Sequence, residues 1–221
     1  MEIPTPPQRS AARLREVLRQ RPAKELPTSD VPEHFRRAAV LVPLWEHQGD
    51  VWTLVTERSA SMPQHAGEMA FPGGGRSGAD PTLAATALRE AEEEVGLSPS
   101  LVDLVGPLDE VWTMRGFVVQ PWVGWLPKEP TWRPEAREIQ SVISFPLRAL
   151  EEAGVYSQDH WTGKGWRLTS HRYDVQGKSI WGMTASILHA LLALWRGDVP
   201  SACPNGEETL RIFMDQRGGR S

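Results

Sequence analysis

Four carboxylates crowd one short stretch of the chain, Glu90, Glu92, Glu93 and Glu94, directly after Arg89 and just ahead of Gly96. Advancing about 100° per residue along a helix brings Glu90, Glu93 and Glu94 together at i, i+3 and i+4, while Glu92 turns toward solvent. Like charges at that spacing repel one another, and the helix dipole favours cations in the C-terminal turns. The two effects oppose this arrangement by roughly 0.3–1 kcal/mol each. Arg89 can pair with Glu93 at i+4, but one guanidinium does not neutralise three carboxylates. A hard divalent cation such as Mg²⁺ or Mn²⁺ takes oxygen ligands and would do so. Just upstream, Phe71-Pro72-Gly73-Gly74-Gly75 permits unusual backbone geometry and can bring carbonyls close to the same helix face. The residues therefore admit two readings: a solvated acidic helix end, or a metal seat beside a shaped loop.

The elements that must position these groups are legible in outline. Asp80 as N-cap, Pro81 at the first helical position and Gly96 as the stop predict a helix over 81–95. Ala84, Leu88, Ala91 and Val95 give it an apolar stripe for docking on a sheet. Apolar β-branched runs at 37–45 and 51–56, separated by the polar residues 46–50, predict a hairpin. Further strands are expected at 101–108, 117–126 and 138–145, with 109–116 as a connection. A short helix follows Pro146 to about residue 153, and two short runs at 166–169 and 171–175 suggest a hairpin. The last helix, 181–195, is apolar on nearly all sides, which predicts deep burial or a partner surface. The pattern is α+β, an αβα sandwich with a mixed central sheet. Residues 1–32 read as a docked N-terminal extension with one helix near 10–20, residues 33–200 as the main domain and 201–221 as a tail that frays.

Composition narrows the classes. The chain has 221 residues, a formal charge of −4 and one cysteine, Cys203. A disulfide scaffold is excluded and nothing requires an oxidising compartment, so a cytoplasmic setting is expected. No apolar run approaches the roughly 20 residues that span a bilayer, and the N-terminus lacks a signal-peptide pattern. With a pI near 5.9 there is no broad basic footprint for nucleic acid. The six histidines show no paired metal spacing, and no serine sits in a nucleophile elbow.

The block from Gly74 to Leu97 resembles the box of the Nudix hydrolases. Arg89-Glu90-Ala91-Glu92-Glu93-Glu94-Val95-Gly96-Leu97 matches the second half of that pattern completely. In the first half Asp80 takes the place of the expected glutamate, with one extra residue before Arg89. Residues 54–59, Gly67 and Phe71-Pro72-Gly73-Gly74 resemble the signature of the coenzyme A pyrophosphatase branch, as do 116–118 and 180–185. Two positions depart from that signature: Pro63 replaces a basic residue and Gly75 a lysine, with Arg76 or His65 available to supply charge.

The resemblance implies a Nudix-like sandwich and metal-dependent cleavage of coenzyme A to 3′-phosphoadenosine 5′-phosphate and phosphopantetheine, with Mg²⁺ or Mn²⁺. It makes Glu90 and Glu94 direct ligands, Glu93 a ligand or general base, Arg89 an orienting group and Gly74, or Gly73, a carbonyl donor. Arg58 and Arg76, with Gly73 and Gly74, are the expected substrate contacts, and Glu138 is a candidate acid from outside the box. Two alternatives remain: another nucleoside diphosphate derivative such as ADP-ribose or NADH, or a catalytically silent nucleotide-binding module. The electrostatic strain of three clustered glutamates argues against the silent module. Oligomeric state is open, with a homodimer as one option.

Overall fold

The computed structural model describes residues 9–26, 31, 33–60, 67–113, 115–163 and 166–198. Pro63, His65 and the tail at 201–221 lie outside these residues.

The apolar run from Ala38 to Trp45 becomes the spine of the molecule. β1 (Arg36–His47) is buried over eight consecutive positions, as expected of a strand covered on both faces. It turns at Gln48-Gly49, where both φ angles are positive at 51° and 82°, and returns as the antiparallel β2 (Asp50–Arg58). Positive φ at both turn residues suits the right-handed twist of the flanking strands. On its other edge β1 pairs in parallel with β7 (Phe117–Trp125), which makes the sheet mixed.

β1 and β2 stay paired only from Leu44 to His47. Beyond that they diverge, and the glycine segment fills the gap. β3 (Met69–Ala70) pairs with β2, while β4 (Gly73–Gly75) pairs with β1. The shaped loop expected at 71–75 is thus in part sheet. β8 (Ile139–Pro146) adds to β2, and β5 (Asp103–Pro107) and β6 (Val111–Thr113) add to β7, giving eight strands. The short β6 falls where a plain connection was expected, because three residues carry too little period to register.

Alternation along β1 assigns two cores. Ala39, Leu41 and Trp45 face α2 (Leu83–Val95), which docks through Ala87, Ala91 and Val95. Ala38, Val40, Val42 and Leu44 face the other side, with Leu14 and Leu18 of α1 (Ala11–Gln20) and Ile187, Leu188 and Leu191 of α3 (Gly182–Arg196). This is the αβα arrangement. The broad apolar surface of α3 is buried, nine of its residues fully so. Among the described residues no helix is long and apolar enough to cross a membrane.

Two boundaries differ from expectation. α2 starts after Thr82, whose hydroxyl accepts the Ala85 N–H at 3.1 Å; Asp80 does not cap it, because its carboxylate is engaged elsewhere. The region 166–175 is one strand, β10 (Trp166–Val175), rather than a hairpin. It lies between β9 (Tyr156–Gly163) and β11 (Lys178–Trp181) in a second, three-stranded sheet. β9 opens Tyr156-Ser157-Gln158-Asp159-His160, too polar on both faces to read as a strand.

The N-terminal residues are held by both charge and packing. Arg15 and Arg19 each meet Asp103 at 2.7 Å, and buried Glu110 accepts the Leu26 N–H at 2.9 Å and pairs with Arg37. The exposed Asp103 pairs contribute little, so the buried leucines carry most of the docking of α1. Leu18 is 1% exposed, and Leu18→Ala is expected to cost about 2–5 kcal/mol. Urea denaturation should show a single transition with a lower midpoint. An unchanged midpoint would mean that α1 is not part of the folding unit.

The small sheet also holds a titrating stack. The rings of His171 and His189 lie 3.7 Å apart and 10° from parallel, with Tyr156 and Tyr173 hydrogen-bonded to their Nδ1 atoms at 3.0 and 2.7 Å. Burial, reinforced by His189, pushes His171 down from 6.5 to about 4. Between those values the unfolded chain binds a proton that the folded protein refuses. Stability should therefore be full above pH 6.5 and fall as pH drops toward 4. Tm measured across that range should show the loss, with a flatter profile for His171→Phe.

Candidate active site

The divergence of β1 and β2 opens the sheet just where α2 brings its acidic face. Gly73 and Gly74 fill the opening because nothing larger fits. A Cβ on Gly73 would stand 2.4 Å from the Ala39 carbonyl oxygen, and one on Gly74 would stand 2.6 Å from the Glu90 carboxyl carbon. The glycines thus supply close approach, bringing bare backbone against the Glu90 carboxylate.

Glu94 lies deepest. It is 4% exposed, accepts the Gly73 N–H at 3.1 Å and faces the Arg58 guanidinium at 3.6 Å. Burial pushes its carboxyl up to about 7; the Gly73 N–H and Arg58 oppose the shift, and the charges of Glu90 and Glu138 add to it. Glu90 is raised in the same way, chiefly by burial, with Arg89 opposing and Glu93 and Glu138 contributing. Glu93 behaves differently. Its side chain is 59% exposed and reaches back to Arg89 Nη1 at 2.9 Å. Glu92 is exposed, as the helical wheel requires.

Arg89 ties the cluster together. Its Nη2 meets Glu90 at 2.8 Å, its Nη1 meets Glu93, and Nε and Nη2 donate to the two oxygens of Asp80 at 3.0 Å each. Asp80 is 6% exposed and also accepts from the Ser77 N–H at 2.9 Å and the Thr86 hydroxyl at 3.0 Å. The hydrogen bond from Arg89, seconded by that from Ser77, holds its carboxyl well below the usual range. Asp80 therefore anchors the arginine despite the one-residue change in spacing.

The other expected site residues fall around this centre. Arg76 donates to the carbonyls of Asp80 and Pro81 at 3.1–3.3 Å, clasping the turn before α2. Glu138 lies just before β8, and its carbonyl accepts the Ser59 N–H at 2.7 Å. Arg58 lines a cavity of about 490 Å³ together with Phe71, Gly73 and Gly74. The opposite wall of this cavity was not anticipated residue by residue. It comes from β6, Arg115 and the start of α3, and only the packing of distant segments brings these together.

Among the described residues, no three carboxylate, imidazole or thiol groups converge as a metal-binding set. The donor chemistry nonetheless suits Mg²⁺ or Mn²⁺. Glu90 and Glu94 offer oxygen alone and both are largely withdrawn from water; burial disfavours each as an anion, seconded by the charges of Glu93 and Glu138 at Glu90 and of Glu90 and Glu138 at Glu94. A bound hard cation reverses that penalty.

Comparison with known proteins agrees with this geometry. The NUDIX domain family matches residues 35–162, and the chain belongs to the Nudix family of hydrolases. It is 39% identical over 167 residues to a protein described as Uncharacterized Nudix hydrolase NudL from Cronobacter sakazakii, covering 75% of this chain and 85% of that relative. A protein of the same description from Salmonella paratyphi B is 38% identical over 159 residues, covering 71% and 81%. Among solved structures, a Nudix hydrolase from Alicyclobacillus acidocaldarius is 20% identical with a TM-score of 0.47, covering 80% of this chain and 96% of that one. The protein is thus a Nudix pyrophosphatase, acting on nucleoside diphosphate derivatives. Such hydrolases generally use divalent ions such as Mg²⁺ or Mn²⁺.

Proposed function

We propose that the protein hydrolyses the diphosphate of coenzyme A, releasing 3′-phosphoadenosine 5′-phosphate and phosphopantetheine. The observation carrying this reading is that Arg58, Phe71, Gly73 and Gly74, all from the segment resembling the coenzyme A branch, line one cavity beside Glu94. In this reading Glu90 and Glu94, with the Gly74 carbonyl, hold Mg²⁺ or Mn²⁺. Bound there, the ion neutralises diphosphate charge and lowers the pKa of a water.

The chain's own groups do the remaining work. Arg89, fixed by Asp80, holds Glu90 in place and restrains Glu93. Glu93, exposed beside the cluster, serves as a further ligand or as the base that takes a proton from water. Glu138 is the second candidate for that proton. Arg58 lines the cavity and would bind the diphosphate oxygens, its present partner Glu94 being one of the residues that would hold the ion. Arg76 supports the turn that carries Asp80, and it contributes positive charge at the site's edge.

The test is product analysis with coenzyme A, dephospho-coenzyme A, ADP-ribose and NADH at one concentration of Mg²⁺ and then of Mn²⁺. The expected result is the highest kcat/KM for coenzyme A. A higher value for ADP-ribose or NADH would retain the Nudix hydrolase and remove the coenzyme A assignment. Binding without cleavage of any of the four would point to the nucleotide-binding module.

A further inference from the structure

α2 and α3 lie on opposite faces of the main sheet, so the start of α3 is not part of the carboxylate cluster. It nevertheless reaches the same cavity, where Trp181, Gly182, Met183 and Thr184 form a wall. An α-helix leaves its first amide groups without intrahelical acceptors, and these need a cap. The position before this helix is Trp181, whose side chain makes no capping hydrogen bond. The head of this 15-residue helix, with no side chain capping its amides and with the positive end of its dipole, thus stands in the cavity wall.

A second, independent feature points the same way. Thr184 is 4% exposed and lines the cavity, yet among the described residues its hydroxyl has no hydrogen-bond partner. Its oxygen is not one of the fully buried unpartnered atoms, so the hydroxyl is open to the cavity it lines and free to complete its hydrogen bonding on a ligand there. Arg58 lines the same cavity with its Nε buried and unpartnered. Arg115 adds positive charge to the wall, against the single carboxylate of Glu68.

We infer that the first turn of α3 is a second anion subsite, in which the amides of 182–184 and the Thr184 hydroxyl hold a phosphate monoester remote from the scissile diphosphate. The assignment of that group to the substrate rests on the coenzyme A reading above, since coenzyme A carries such a monoester at the ribose 3′ position. The diphosphate must lie against Gly73, Gly74 and the carboxylates behind them, which leaves the α3 wall for the other anion. Free amides and a hydroxyl suit a compact dianion, because each donates a hydrogen bond without adding a competing charge.

Thr184→Val removes the hydroxyl at nearly constant volume, and Thr184→Ser keeps it. For Thr184→Val, KM for coenzyme A is expected to rise about tenfold with kcat within about twofold, the size of one lost hydrogen bond to a charged group. KM for dephospho-coenzyme A should rise much less, so that the preference between the two substrates collapses. Thr184→Ser should restore it. An equal rise for both substrates would place the diphosphate itself on α3 and overturn the monoester assignment. No rise for either would overturn the subsite.

A binding measurement keeps the inference separate from the proposed reaction. Without metal, adenosine 3′,5′-bisphosphate should raise the Tm of the wild type more than AMP does, and Thr184→Val should lose that difference. If the wild type cleaves neither coenzyme A nor its dephospho form, the coenzyme A reading fails. The bisphosphate shift still decides the subsite, and its absence in the wild type would sink it.

Discussion

Glu94→Gln is expected to lower kcat/KM by at least about 100-fold at saturating Mg²⁺, more than the 10–100-fold that follows loss of an outer hydrogen-bonding partner of a metal site. The substitution keeps the size of the side chain and retains an oxygen for the Gly73 N–H, which now donates to Glu94 at 3.1 Å. It removes the charge that a metal ligand must carry. The metal-free protein should be no less stable than the wild type, because the buried carboxylate is itself unfavourable.

Since the folded carboxyl sits at about 7 against 4.5 ordinarily, Glu94 contributes stability below pH 4.5 that is lost as pH rises through 7. Glutamine removes that slope. Metal titration at pH 6 and pH 8 should show weaker Mg²⁺ binding by the wild type at the lower pH, where the proton competes. Near-normal turnover of Glu94→Gln would sink the ligand assignment.

The adjacent glycines should separate stability from chemistry. A Cβ on Gly73 would meet backbone, the Ala39 oxygen at 2.4 Å and the Val40 Cα at 2.6 Å. Only a shift of β4 relative to β1 relieves that clash, and about 1–3 kcal/mol of destabilisation is expected for Gly73→Ala. On Gly74 the Cβ would meet instead the far end of the Glu90 side chain at 2.6 Å. That carboxylate can swing aside, so the fold should tolerate Gly74→Ala while the site does not. The expected loss in kcat/KM is about 100-fold, in the range found when a preorganised charge-stabilising group is removed. Equal denaturation midpoints for the two variants, or normal activity of Gly74→Ala, would contradict this account.

The chain itself determined a great deal. Arg89 to Leu97 specify an acidic helix that stops at a left-handed Gly96, with φ of 69°, and the runs at 37–45 and 51–56 about the polar residues 46–50 specify the β1–β2 hairpin. Periodicity of 3.6 and of 2 is local, and so it survives in the sequence. For the same reason the placement of Glu92 in solvent and of Ala91 and Val95 in the core was legible before any fold was known.

What the tertiary structure decided is everything that depends on one segment meeting another. Glu90, Glu93 and Glu94 are equivalent on a helical wheel. Their burial differs because β4 covers Glu90 and Glu94, while Glu93 stays in solvent with Arg89. Asp80 read both as a helix cap and as the stand-in for the family's glutamate; its carboxylate holds Arg89 nine residues along, as that second reading implies, and Thr82 caps α2 instead. The polar strand β9 takes its conformation from pairing with β10 and carries no period of its own. The cavity joins strands near residue 40 to a helix that begins at 182. Its chemistry follows from the way the two faces of the sheet are packed, and no local pattern records that.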